Sequence, residues 1–376
     1  MQKKHTDTPA SLERAVTLQE IADACGVHLM TVSRALRQDR RNVSEDTIRR
    51  ITAVAAEMGY DPARNDFVRR MVRRRHGQRV VNQAVALFYP PQFYKDRYAS
   101  SLLSGLASVL EPRYYAVVQV NTYVRVIPSV PLPRDLPPIL KRGEVDGAIA
   151  LAESVSFTET VGLLRKEPHF HNRPIISLMR PFAGCSTFMG DDYAGGVAAA
   201  KHLLDLGHRH VLYFQSDSSD HRRGEQQRGS RQAFADAGLD PDRYLHAQPY
   251  NSSFGVAEER LTQPLWQALA ASPEITAILA PNDWYAIILY HLLRGRGIRV
   301  PEDMSLVGFD GTLLSVDDPR VAFLTSVRVP LEEIGRRAAE FLVRCIENDC
   351  EATTTEVFPV ELLVNHSTGP CPRPGA

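Results

Sequence analysis

Cysteine and tryptophan are scarce in this chain of 376 residues, five and two in number, and the net charge is zero, with 44 basic residues balancing 44 acidic ones. Each scarcity excludes something. The cysteines, at positions 25, 185, 345, 350 and 371, form no Cys-x-x-Cys pair, which removes zinc-ribbon and dithiol patterns and points to a reduced compartment. Cys345 and Cys350 stand five apart on an expected helix and face different ways, which argues against a shared metal or disulfide. No apolar run reaches the roughly 18 residues of a membrane span, and no basic flank leads into an apolar stretch near the start. A cytoplasmic protein without membrane contact is expected. Catalytic signatures are missing as well: there is no Gly-x-Ser-x-Gly elbow and no Gly-rich phosphate loop with its lysine. The run Ser216 to His221 contains the residue types of a hydrolase triad, but such a polar stretch reads as a solvated loop. Neither an enzyme nor a cofactor is expected.

What is present is unevenly distributed. Residues 1–79 hold 16 Lys and Arg against 10 Asp and Glu, and the remainder holds 28 against 34. A basic first segment joined to an acidic body attracts a polyanion at one end and keeps the other end off it. The length allows a small module followed by a larger domain with cores of its own. Residues 1–15 lack apolar periodicity and read as a loose extension.

The most informative segment runs from Thr17 to Leu36. Thr17, followed three residues later by Glu20, makes a capping box ahead of the apolar series Leu18, Ile21, Ala22 and Cys25. Gly26 ends that helix and allows a tight turn. Val27, Val32, Ala35 and Leu36 give a second helix one buried stripe, leaving Thr31, Ser33 and Arg34 outside with donors for phosphates and base edges. Such a helix-turn-helix lays its second helix in a DNA major groove. His28, Leu29 and Met30 form the first turn, where base edges are met; His28 is expected to cap the helix and touch phosphate, and Leu29 and Met30 to read by apolar contact. Thr17 is counted among the DNA contacts. One such module spans only about 4 or 5 base pairs, so a homodimer on a pseudo-palindromic duplex is expected. No heptad segment follows, which favours a dimer over a coiled-coil tetramer.

With Gly26-Val27, Thr31-Val32-Ser33-Arg34-Ala35-Leu36, and a third helix that opens at Val43-Ser44-Glu45 and runs to Met58-Gly59-Tyr60 and Pro62, the segment closely resembles the headpiece of lactose-repressor (LacI/GalR) type transcription regulators. The likeness continues in the motifs Gly190–Gly196, Ala280–Asp283, Val300–Asp310 and Leu324–Val327. It implies an all-α helix-turn-helix headpiece at 16–61, a basic hinge at 62–79, a two-lobed α/β domain with parallel sheets, like periplasmic sugar-binding proteins, at 80–366, and a tail at 367–376. It also implies a repressor whose operator affinity is modulated by a small molecule, a sugar or related polyol, closing the two lobes. Two other readings stay open: a DNA-binding regulator without a small-molecule effector, and a solute-binding or enzymatic protein with a vestigial headpiece.

The residues support that order. Val80–Phe88, Tyr115–Val120, Val145–Leu151, Pro174–Leu178, His210–Phe214, Ala277–Leu279 and Ser305–Val307 read as strands, with helices at Tyr98–Leu110, Ala194–Leu206, Gly229–Ala237 and Trp284–Arg294. This alternation predicts parallel sheets covered by helices on both faces. Five prolines between Pro128 and Pro138 predict an irregular loop. The hinge carries seven arginines, Arg64, Arg69 and Arg70 among them, against the one acid Asp66. In the resembled family a leucine from this segment wedges into the minor groove; here Arg69 takes its place. Phe67 or Met71 is therefore expected to unstack a base step, or Arg69 to read a narrow groove.

Ligands of open parallel sheets sit beyond the carboxyl ends of the strands. Asp310 and Asn282 follow two such strands, and a carboxylate with an amide suits a polyol; the resemblance assigns both to the effector. Phe254, Trp284 and Tyr89 are candidate stacking faces for a sugar ring, or else ordinary core. The family's effector-binding arginine, three residues before the glycine at 229, is Gln226 here, which favours a neutral ligand, although Arg222, Arg223 and Arg228 stand close enough to substitute. Arg180 is another candidate cleft cation. His202, His208 and His210 fall within nine residues but straddle a helix end, so no metal site is expected from them.

Overall fold

Local capping chemistry sets the first three helices. The computed structural model describes residues 16–36, 43–60, 81–89, 97–121, 136–151, 156–168, 170–216, 221–250, 257–312, 322–348 and 353–372, in two units, Met1–Val81 and Asn82–Ala376. In the first unit, α1 (Leu18–Cys25), α2 (Leu29–Leu36) and α3 (Glu45–Glu57) close around Ile21, Ala22, Val32, Ala35, Ile51 and Ala55. The Thr17 N–H donates to the Glu20 carboxylate at 2.7 Å and the Glu20 N–H donates back to Thr17 Oγ1 at 3.3 Å, so the expected capping box is formed. Gly26 ends α1 at φ +61°, a left-handed conformation that disfavours any residue with a β-carbon by about 1–2 kcal/mol. Arg50 reaches back from α3 to the Cys25 carbonyl at 3.2 Å, and Ser44 Oγ accepts from the Thr47 N–H at the start of α3.

The second unit holds two six-stranded sheets. The first contains β1 (Ala84–Tyr89), β2 (Ala116–Asn121), β3 (Gly147–Leu151), β4 (Ile175–Leu178), β5 (Ser186–Gly190) and β11 (Thr355–Phe358) in the order β11-β5-β4-β3-β1-β2, all parallel. The second contains β6 (Val211–Ser216), β7 (Leu245–Tyr250), β8 (Ala277–Leu279), β9 (Ser305–Asp310), β10 (Thr325–Arg328) and β12 (Glu361–Leu363) in the order β12-β10-β9-β8-β6-β7, with β12 alone antiparallel. The helices are α4 (Arg97–Leu110), α5 (Pro138–Lys141), α6 (Ser156–Lys166), α7 (Asp192–Asp205), α8 (His221–Asp236), α9 (Pro241–Tyr244), α10 (Ala257–Ala271), α11 (Asp283–Gly295) and α12 (Leu331–Asn348). Every residue of β3, β4 and β9 is buried, as parallel strands covered on both faces require. One core gathers Phe88, Leu140, Ala148 and Phe170 in the first lobe; another gathers Phe214, Ile278, Leu289 and Leu306 in the second. The chain crosses between the lobes three times, after β5, after β10 and between β11 and β12.

Several boundaries differ from the sequence reading, among them the end of β9, which runs on to Asp310 rather than stopping at Val307. β1 starts at Ala84 rather than Val80, because Gln83 takes φ +56° and breaks the extended backbone before it. Pro138, expected as the last residue of an irregular loop, opens α5, where its missing N–H costs nothing, and positions 128–135 of that loop lie outside the described residues. α8 starts at His221, eight residues before Gly229. The expected tail at 367–376 begins inside the second lobe: Ser367 is fully buried, its Oγ donating to the Leu306 carbonyl and accepting from the Thr325 N–H, and the Cys371 N–H donates to the Leu206 carbonyl. Among the described residues, no helix is long and apolar enough to cross a membrane.

Candidate DNA-recognition helix and effector cleft

The turn from Gly26 into α2 is sealed by a histidine. The Met30 N–H donates to His28 Nδ1 at 3.2 Å, which puts the imidazole in the capping position otherwise filled by Ser, Thr, Asp or Asn. Val32 and Ala35 face the core, and the opposite side of the first turn presents Leu29 and Met30, 37% and 50% exposed. Two large apolar side chains standing together in water at a helix start are suited to contact a thymine methyl, since burial against it recovers the cost of their exposure. Thr31, Ser33 and Arg34 are half-buried on the flanks of this face. The hinge candidates Arg64, Phe67, Arg69 and Met71 lie outside the described residues, as does Phe254.

In the second unit the carboxyl ends of the strands carry a buried ionic cluster. Arg222, in the first turn of α8, donates from Nε to Asp192 Oδ2 at 3.1 Å, and from Nη2 to Asp192 Oδ1 at 3.2 Å and Asp310 Oδ1 at 2.7 Å. All three side chains are buried. Asp310 ends β9 with φ +91°, and Asp192 opens α7 directly after the crossing from the first lobe. Beneath the guanidinium, 4.9 Å away, lies the ring of Tyr98 from α4 of the first lobe, so the arginine is held by both lobes. Gln226 Nε2 donates to Asp192 Oδ1 at 3.1 Å, and Gln226 Oε1 accepts from Arg223 Nη1 at 2.9 Å. Arg223 also donates to the Pro281 carbonyl. Burial pushes the Asp192 carboxyl up from the ordinary range, opposed by the charge and hydrogen bonds of Arg222 and by the Gln226 amide.

The cluster depends on the close approach of α7 and α8. A β-carbon on Gly196 would stand 2.1 Å from the Gln226 carbonyl oxygen, and one on Gly229 would stand 2.0 Å from that of Tyr193. These two glycines let the helices touch backbone to backbone and bring Arg222 and Gln226 to Asp192. Beside them is a cavity of about 270 Å³, lined by Pro181, Met189 and Gly190 of the first lobe, by Asp191, Asp192 and Tyr193 at the crossing, and by His221 and Glu225 of α8. That volume lies just below the roughly 300–1,000 Å³ of small-molecule sites and suits a compact ligand.

Of the residues singled out from sequence, Asp310 and Gln226 are brought together through Arg222 and Asp192. Asn282 caps α11, its Oδ1 accepting from the Tyr285 N–H at 2.9 Å. Trp284, the second residue of the same helix, is 64% exposed and so is not core. Tyr89 is buried at the end of β1. Arg180 follows β4 and stacks over Phe182 at 5.1 Å. Arg228 pairs with Glu225 and stacks over Tyr193 at the cavity's rim. His202 and His208 do not converge: His202 Nε2 meets Thr368 Oγ1, and His208 is buried between Thr276 and Ser305. Sequence reasoning left Asp192 out of the site. The signal for it was present, an Asp-Asp pair opening a helix just past a strand end.

Comparison with known proteins agrees with this architecture. Residues 17–63 match the family of bacterial regulatory proteins, lacI family, and residues 200–368 match a periplasmic binding protein-like domain. The chain is 30% identical over 364 residues to the HTH-type transcriptional regulator DegA of Bacillus subtilis, covering 94% of this chain and 98% of that protein. A solved LacI family transcriptional regulator from Enterococcus faecium with bound ribose is similar at a TM-score of 0.63 and 24% identity, over 76% of this chain and 99% of that one. A complex of the transcriptional regulator CelR with cellobiose is similar at 0.60 and 22%, over 94% and 99%. A helix-turn-helix headpiece joined to a two-lobed α/β domain defines a DNA-binding transcription regulator. The chain belongs to the lacI family of bacterial regulatory proteins.

Proposed function

We propose that this regulator is a cytoplasmic repressor which grips a pseudo-palindromic operator as a homodimer, and whose grip is set by a small neutral polyol, a sugar or close relative, held between the lobes. The observation that carries the ligand class is the charge balance of the cluster beside the cavity. Two buried carboxylates, Asp192 and Asp310, are matched by two guanidiniums, Arg222 and Arg223, with the neutral amide of Gln226 joining them. A balanced cluster has no surplus charge for a sugar acid or phosphate, whereas hydroxyls exchange hydrogen bonds with carboxylate and guanidinium alike. The ribose and cellobiose bound by the two solved relatives support a carbohydrate.

In this reading Asp310, Asp192, Gln226 and Arg222 hold ring hydroxyls and Asn282 adds its amide. Trp284, Tyr89 and Phe254 supply apolar faces, with Arg180 at the margin. On DNA, Leu29 and Met30 read bases, Thr17, His28, Thr31, Ser33 and Arg34 position the helix, and the hinge adds Arg64, Phe67, Arg69 and Met71. Its relatives being regulators, we assign it no catalysis. Lobe closure is coupled to DNA affinity by about 1–3 kcal/mol.

One observation favours a second reading. Arg222 already pairs with both carboxylates, so in this reading the cluster is satisfied within the chain and the regulator works without a small molecule. Calorimetry with neutral pentoses, hexoses and disaccharides beside the matching sugar acids, followed by operator titration with any hit, separates the two. A neutral sugar that binds and shifts operator affinity is the expected result. Binding by acids alone contradicts the ligand class, and no binding by any compound leaves the second reading standing.

A further inference from the structure

The amino ends of three other strands of the second lobe's sheet hold a second cluster, and it has no part in the cleft. We propose that His210, His246 and Glu274 form a binding site for a divalent transition metal of the zinc class. His210 immediately precedes β6, His246 is the second residue of β7, and Glu274 stands shortly before β8, so three neighbouring strands each deliver one ligand at their amino ends. His210 Nδ1 lies 3.0 Å from His246 Nε2 and 3.7 Å from Glu274 Oε1, and each of the three residues offers a ligand atom within 4.8 Å of those of the other two. Zinc binds imidazole nitrogen and carboxylate oxygen at about 2.0–2.2 Å, which sets neighbouring ligands in a tetrahedron roughly 3–3.5 Å apart. Small side-chain rotations bring these three to that spacing.

The supports are those of a built site. The Thr276 N–H donates to the His210 carbonyl at 3.1 Å, and the register pairs Leu212 with His246 and Val211 with Ala277, so the sheet fixes both histidines and the strand that Glu274 leads into. His246 Nδ1 meets Ser272 Oγ at 3.2 Å. With the ring hydrogen donated there, the Nε2 lone pair faces His210 and Glu274, the outer-shell arrangement that orients a ligating imidazole. The ring of Tyr244 packs against His210 at 5.0 Å and walls one side. Side-chain exposures of 15% for His210 and 39% for Glu274 leave an approach for an ion and room for water as a fourth ligand. Two imidazoles with one carboxylate select zinc, cobalt, nickel or copper over magnesium or calcium, which prefer oxygen. The bound ion would staple the starts of β6, β7 and β8.

The test uses full-length protein freed of metal by chelation and of any purification tag. Zn2+ is added by calorimetry and Co2+ by visible absorption. The expected result is one ion per chain, four-coordinate Co2+ bands and a raised unfolding midpoint, with affinity at least tenfold lower in His246→Ala and in Glu274→Gln and unchanged in His202→Ala. No stoichiometric binding by the folded parent, or equal binding in the parent and in folded His246→Ala, overturns the site and leaves a hydrogen-bonded histidine pair. Should a variant not fold, the parent's Co2+ spectrum decides, since absence of four-coordinate bands contradicts the proposal.

Discussion

Arg222 Nη2 donates to Asp310 Oδ1 at 2.7 Å across 88 positions of sequence, and the same guanidinium grips Asp192. The contact fixes the first turn of α8 against the end of β9, at the side of the second lobe that meets the first. A buried guanidinium between two carboxylates is expensive to dehydrate, and its net contribution to stability is small. Removing it alone is a different matter, because the two acids then remain buried with no counter-charge.

Arg222→Met is therefore expected to lower unfolding stability by about 3–5 kcal/mol. Neutralising the partners as well, in Arg222→Met with Asp192→Asn and Asp310→Asn, is expected to recover most of that loss. Urea unfolding of the single and triple variants checks both. A triple variant as unstable as the single would show that the cluster contributes through shape rather than charge.

Two glycines in the same helix pair should respond with opposite sign. Gly196→Ala drives a methyl into the Gln226 backbone and is expected to cost about 1–3 kcal/mol and to weaken effector binding by displacing Gln226 and Arg222. Gly224→Ala, on the exposed side of α8 with no heavy atom within 4 Å of the new methyl, is expected to stabilise by about 0.5–1 kcal/mol. Thermal or urea midpoints of the two variants against the parent provide the measurement.

The contrast between headpiece and cleft shows what a sequence exposes. Thr17 with Glu20, Gly26, and Ser44 with Thr47 act over three or four residues, so each cap can be read where it stands. Asp192 and Arg222 are 30 positions apart, and no local pattern marks which of Arg222, Arg223 and Arg228 turns inward. The start of α8 was hidden for a related reason. The stretch from Arg222 to Arg228 has no apolar stripe, because it packs on α7 through glycine and buried polar atoms. Ser367 escaped notice likewise: a small polar residue near the end becomes core only through its bonds to Leu306 and Thr325, more than 40 residues away.

Acid should loosen the second lobe. Burial, the leading cause, holds the His208 imidazole below its ordinary value of 6.5, and His202 and His246 are lowered in the same way. The stability these neutral rings contribute is complete above the unfolded value. It is lost as pH falls through about 6.5, where the unfolded chain takes up protons that the native one refuses, at up to about 1.4 kcal/mol per pH unit for each proton. Urea midpoints between pH 8 and pH 5.5 should fall on the acid side, and His208→Gln should flatten the slope by up to one proton, whatever its effect on absolute stability.

On DNA, Arg34→Ala is expected to weaken binding to all duplexes alike and to lower the salt dependence by about one counterion. Substitutions at Leu29 and Met30 should instead change which bases are preferred, by about 1–3 kcal/mol at the affected positions. Anisotropy titrations against a set of single-base operator variants distinguish the two effects.

The most direct test is selection from random duplex DNA at moderate ionic strength with the purified full chain. One two-fold-related sequence with half-sites about one helical turn apart is expected to be enriched, and to change when Leu29 and Met30 are exchanged. Equal retention of every duplex, or an unchanged consensus after that exchange, would contradict that expectation.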